Sequence, residues 1–323
     1  MQSVDLLLRL RVRICYTEKN SEGNFFMDKQ TIEAKLFAKV LQLVKPYLSG
    51  ATVEQQRASQ EKACSLLRLP DDVEIKELAE MPIPAQWLCP EGTDENRIIL
   101  YFHGGAYVAG SLKASRAIAS RLAHASGVGV LSFEYRLAPE HSYPAALEDA
   151  LYAYRLLLDA EIAPSEIAFA GESAGGGLAL ACALRARDTG LPLPACLALM
   201  SPWTDLTMSG ESVALEEEDP LLCAEDLKRC ADMYAAGMLE EPYISPLFAQ
   251  LSGLPPVMIQ CGSREILLSD SVRMAQRLQE EGNSCELSVW DEMWHVFQAY
   301  GLAQSKQAID QLCAFIRKHL FFE

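Results

Sequence analysis

No stretch of the chain reaches the roughly 18 consecutive apolar residues that a membrane helix needs. Leu6 to Leu8 begin an apolar run, but Arg9, Arg11 and Arg13 end it and no basic segment precedes it, so a secretory leader is not expected. Basic residues are scarce. The 28 Lys and Arg against 44 Asp and Glu leave a formal charge of −16, a surface that repels phosphate backbones and anionic headgroups. Neither nucleic acid nor a membrane is expected as a partner. C-x-x-C pairs are absent although there are ten cysteines, most of them inside apolar runs. That pattern fits reduced core thiols better than a disulfide framework or a zinc site, and predicts a cytoplasmic protein without a metal. Repeats and low-complexity segments are also missing. What remains, 323 residues that are 50% hydrophobic and 22% charged, is a globular chain long enough for one large domain or two ordinary ones.

Periodicity organises that chain. Leu8 to Ile14 alternate with period two, the pattern of an exposed strand or an unstructured tail. From Thr31 the spacing turns helical: Ile32, Leu36, Val40 and Leu43-Val44 share a face, and a second helix is expected from Val53 to Leu67. Strands are expected at Val73 to Leu78, Ala85 to Leu88, Ile98 to Phe102, Val128 to Glu134, Ile167 to Ala170, Cys196 to Met200, Val257 to Cys261 and Glu286 to Trp290. Helical patterns begin near Leu112, Pro144, Ala174, Asp270 and Leu302 between and after them. Near-continuous apolar strands alternating with helices predict an α/β fold, a mostly parallel sheet covered on both faces. The interval from Trp203 to Leu254 is too long for a loop, so an insertion with its own helices is expected above the sheet.

Two glycine-rich turns carry the chemistry. Gly171-Glu172-Ser173-Ala174-Gly175 fits G-x-S-x-G, follows an apolar strand and opens a helix of small residues, the setting that forces a serine into a sharp exposed turn. His103-Gly104-Gly105-Ala106-Tyr107 follows the Ile98 to Phe102 strand. Its glycines let backbone N–H groups point inward at an oxyanion, and Gly104 and Gly105 are assigned as donors together with the N–H of Ala174. His103 is expected to brace the loop.

A serine nucleophile needs a base and an orienting carboxylate, in the order Ser, Asp/Glu, His in this architecture. His295, on a loop after the last strand, is the expected base, because His319 lies near the end of the C-terminal helix beside Lys318. Glu265 or Asp270 follows the strand before it. Glu265 is preferred, since Asp270 and Ser269 are accounted for as caps of the next helix. Tyr107, Trp203 and Phe297 are candidate walls of a substrate pocket.

Those two turns, with Tyr135-Arg136-Leu137-Ala138-Pro139-Glu140, Pro144-Ala145-Ala146 and Ser201-Pro202-Trp203-Thr204-Asp205-Leu206, resemble the hormone-sensitive-lipase family of α/β-hydrolases, in its bacterial carboxylesterase branch. The similarity runs from about Met27 to the C-terminus. It implies an α/β-hydrolase fold with an eight-stranded, mostly parallel sheet and a helical cap, and hydrolysis of short- to medium-chain acyl esters without a cofactor. The implied layout is an extension over 1–26, cap helices over 27–70, core over 71–202, a cap insertion over 203–254 and the rest of the core over 255–323. Ala106 stands where the family has a third glycine, and Glu265 where it has aspartate. An amidase or deacetylase would use the same triad, and plant hormone receptors similar to the family keep the pocket while losing the histidine. The resemblance and the exposed edge of the Glu286 to Trp290 strand together predict a homodimer joined at that strand.

Overall fold

The computed structural model describes residues 13–15, 29–94 and 96–321. Among the described residues nine strands form one sheet: β1 (Arg13–Cys15), β2 (Val73–Glu77), β3 (Ala85–Pro90), β4 (Ile98–Phe102), β5 (Gly129–Phe133), β6 (Ile167–Glu172), β7 (Cys196–Met200), β8 (Val257–Gly262) and β9 (Cys285–Trp290). Their spatial order is β1-β9-β8-β7-β6-β4-β5-β3-β2, with antiparallel pairing at β2/β3 and β3/β5 and parallel pairing elsewhere. The helices are α1 (Lys29–Leu48), α2 (Val53–Ser65), α3 (Leu112–Ser126), α4 (Ala145–Asp159), α5 (Ala174–Asp188), α6 (Ala224–Ala235), α7 (Leu268–Glu280) and α8 (Ala303–Leu320). Strands β4 to β8 are buried throughout and apolar except at Ser132, Glu172 and Gln260, because helices cover both faces. One large cluster holds Phe102, Phe169, Leu199 and Ile259 on one side, and a second holds Tyr101, Ala170, Met200 and Ile316 on the other.

The eight strands expected from periodicity are all present, and β1 is added to them. It pairs in parallel with Ser288 to Trp290, so the outer edge of β9 is occupied from within the chain. The expectation of a free edge on that strand is therefore not met. The remaining residues before Met27 lie outside the described part.

The N-terminal helices and the 203–254 insertion are tied to each other. Lys45 Nζ donates to the carbonyls of Glu216 and Asp219, the Gly50 amide donates to Asp226, and Arg229 donates to the Ala51 carbonyl. A capping box at Thr52 and Gln55 starts α2. Arg57 on that helix then reaches the core: its Nε donates to the Val108 carbonyl at 2.8 Å, while the guanidinium also holds the Ala138 carbonyl and Glu140. Helix α1 departs from expectation. Ala34 and Ala38 are its buried positions, and Phe37 stacks on Trp294 at 5.8 Å, whereas Ile32, Leu36, Val40, Leu43 and Val44 share a face that looks outward.

Candidate active site

Strand β6 ends at Glu172 and α5 begins at Ala174, which leaves Ser173 alone to turn the chain. It does so at φ 55°, ψ −125°, a backbone geometry that a side-chain-bearing residue rarely adopts. The turn is held from outside: the Ser173 amide donates to the Met200 carbonyl, and its carbonyl accepts from Trp203 and from Gly176 and Gly177. The serine hydroxyl makes no capping bond to the helix, so it is free for chemistry. Helix and strand approach so closely here that a Cβ on Gly175 would lie 2.1 Å from the Phe102 carbonyl oxygen.

The acid and base come from neighbouring loops that are stitched together. After β8 the Ser263 amide donates to the Trp290 carbonyl and the Arg264 amide to the Met293 carbonyl, both at 2.9 Å. Glu265 and His295 are thereby brought face to face, with Nδ1 and Oε2 3.1 Å apart. The carboxylate partner puts the ring proton on Nδ1, which donates to Glu265 and leaves Nε2 as the acceptor. The Val296 amide donates to Ser201 Oγ at 3.1 Å, so the histidine loop is anchored at the C-terminal end of β7, where the serine turn is anchored too. Glu265 is fully buried, and burial pushes its carboxyl above the usual range while the imidazole opposes that shift. From the insertion, Asp219 accepts the Ile266 amide at 3.0 Å and fixes the acid loop.

Asp270 has a different part from the one expected. The cap position of α7 is Leu267, with no side-chain cap, and Asp270 lies inside the first turn. Its Oδ2 accepts the amides of Thr204 and Asp205, each at 2.8 Å, and so holds the loop that follows β7. A buried carboxylate can organise a loop as readily as it can cap a helix. Burial first and Asp205 next raise its pKa to about 7, against the two amides and Arg273. An acid whose pKa is raised on folding stabilises the fold below its unfolded value of about 4, and that contribution is lost as pH rises through about 7. Asp270→Asn should therefore show a smaller fall in Tm than the parent between pH 5 and 8. Parallel Tm curves would refute it.

The oxyanion loop also differs from expectation. The Gly104 amide donates to Glu172 Oε1 at 2.8 Å and is not free for a substrate. The amides of Gly105 and Ala106 have no partner among the described residues, and these two residues stand at φ 120° and 54°. A donor pair one residue further along is the physical alternative. His103 does brace the loop: it is buried, stacks on Tyr135 at 4.1 Å, and donates from Nδ1 to the Gly104 carbonyl, with burial lowering its pKa to about 4. Of the candidate pocket residues, Tyr107 stacks on Tyr234 at 3.8 Å, Trp203 donates to the Asp205 carbonyl, and Phe297 packs on Trp290; all three are enclosed. Glu172 was missed in the sequence. A carboxylate closing an otherwise apolar buried strand was the available signal.

A strained serine after a central parallel strand, followed in chain order by a carboxylate and a histidine in contact, defines an α/β-hydrolase. Comparison with known proteins agrees. A family model described as alpha/beta hydrolase fold matches residues 99–299. An acetyl-hydrolase from Streptomyces hygroscopicus is 41% identical over 237 residues, covering 72% of this chain and 79% of the relative. An esterase from Acinetobacter venetianus is 37% identical over 224 residues, 68% and 74% of the two chains. A crystal structure of an esterase from the bacterial hormone-sensitive lipase family superposes with a TM-score of 0.86 at 37% identity, covering 91% of this chain and 100% of that one. The chain belongs to the bacterial hormone-sensitive lipase family of α/β-hydrolases. Its class is that of the serine carboxylic ester hydrolases.

Proposed function

We propose that the protein hydrolyses short- to medium-chain acyl esters through an acyl-enzyme. Ser173 Oγ attacks the acyl carbon while His295 Nε2 takes its proton, and Glu265 holds the resulting imidazolium. The oxyanion accepts from the amides of Gly105, Ala106 and Ala174, each donor worth roughly 3 kcal/mol in the transition state. Collapse expels the alcohol, which receives the proton from His295. Water then repeats the cycle and releases the acid. The observation that carries this reading is the 3.1 Å contact between His295 and Glu265 on the loops beside the strained serine.

Acyl chains of about two to eight carbons are the expected substrates, because Ser173 is 7% exposed and His295 6%, which leaves a confined space under the cap. Tyr107, Trp203 and Phe297 are the proposed walls of that space. A p-nitrophenyl ester series from acetate to palmitate tests this. Turnover rising steadily to the longest chain, or efficient attack on emulsified triglyceride, would overturn the chain-length reading.

The homodimer through β9 is proposed with a condition that the paired edge imposes: β1 must be out of the way. A chain beginning at Met27 should keep its activity and show a dimer mass by light scattering, because removing β1 exposes the β9 backbone. The full chain should remain single at micromolar concentration. A Val289→Pro change, which removes an edge hydrogen bond, should return the shortened chain to a monomer. Equal masses for the two chains would end the proposal. The cytoplasm is the proposed location, supported by the nine cysteines from Cys64 to Cys313, all free. No described helix is long and apolar enough to cross a membrane.

A further inference from the structure

Glu172 lies one residue before the nucleophile, is buried, and has no role in the steps above. Its Oε1 accepts the Gly104 amide at 2.8 Å and its Oε2 accepts the Tyr101 hydroxyl. The contact is close on both sides: a Cβ on Gly104 would lie 2.9 Å from the Glu172 carbonyl oxygen and 3.2 Å from its Cγ. Beyond Gly104 the chain passes through three successive positive φ values, 120° at Gly105, 54° at Ala106 and 63° at Tyr107. Two of these residues carry side chains, and each such conformation costs about 1–3 kcal/mol, so the loop needs an anchor outside itself. A charge-assisted hydrogen bond from its first amide is such an anchor.

We propose that Glu172 is a positioning residue that sets the oxyanion loop: it pins the Gly104 amide against Tyr101 so that the amides of Gly105 and Ala106 are presented to the substrate. This rests on the esterase reading. The nucleophile and its oxyanion loop are thereby coupled through adjacent residues, because the backbone that positions Ser173 also carries the carboxylate that positions Gly104.

The groups facing Glu172 are Tyr101 on β4, Cys64 on α2, Tyr135 after β5 and His295 after β9. Burial raises its pKa to about 7, against the hydrogen bonds of Tyr101 and Gly104 and the charge of His295.

Three variants test the proposal, with kcat expressed per serine labelled by a fluorophosphonate. Glu172→Ala should lower kcat about 10²-fold, the cost of misplacing donors by about an ångström, with KM little changed. Glu172→Gln keeps an acceptor for Gly104 and should recover most of that loss. Tyr101→Phe, which preserves core volume, should show a smaller fall of the same kind and serves if Glu172→Ala does not fold. Wild-type kcat per labelled serine in the folded variants would overturn the proposal, even with a lowered Tm. Absence of ester turnover in the parent would instead remove the esterase reading.

Discussion

Ser173→Ala is expected to lower kcat about 10⁶-fold, and His295→Ala by a similar factor, with the double variant no worse than either single one. Nucleophile and base act as a unit, so once either is missing the other has nothing to do, and the residual rate comes from binding and the oxyanion donors. The two changes should differ in stability. Ser173 Oγ caps nothing, and alanine meets the same strain at φ 55°, so Tm should hardly move. His295 is the hydrogen-bond partner of a carboxylate that is 0% exposed. Removing it leaves a buried acceptor unpaired, a loss of about 1–3 kcal/mol. Kinetics on a p-nitrophenyl ester and thermal melts of the two proteins check both halves. Substantial turnover by purified Ser173→Ala would sink the assignment of the nucleophile.

The sheet could be read from the sequence because strands β4 to β8 are buried largely on both faces, and such strands appear as short, almost uninterrupted apolar runs ending in glycine or a polar residue. The serine and histidine were legible for a related reason: G-x-S-x-G and the loop after the last strand are local features placed by chain order. What escaped were relations between distant residues. Gly104 was assigned as an oxyanion donor on its glycine character, but whether an amide is free depends on what lies across from it, here a carboxylate 68 positions later. Asp270 reads as a helix cap by position, yet its partners are amides 65 and 66 residues earlier. The apolar face of α1 was correctly grouped. Periodicity says which residues share a face and nothing about which way it points, and small side chains, Ala34 and Ala38, let the opposite face sit close against Trp294 and Phe297. The short β1 strand was readable as alternation, but its pairing with β9 is set by tertiary packing.

Glu265→Gln is expected to cost about 10⁴-fold in kcat, the loss seen when a triad carboxylate is replaced by its amide. Glutamine can accept the Nδ1 proton, so the ring can stay in place. What is lost is the negative charge facing the imidazolium, in a site where burial already makes an uncompensated charge expensive. The shorter Glu265→Asp separates reach from charge. The loop backbone is set for a glutamate by the bonds of Arg264 to Met293 and of Ile266 to Asp219, so an aspartate keeps the charge but falls short of Nδ1. A loss of about 10²-fold is expected for that displacement. Asp270→Asn should leave kcat within a few fold, since its carboxylate holds the Thr204 and Asp205 amides and makes no recorded bond to His295. Measuring kcat for the three variants on one short-chain ester ranks them. If Asp270→Asn fell furthest, the acid would be Asp270; if Glu265→Asp fell further than Glu265→Gln, reach and not charge would be what the histidine requires.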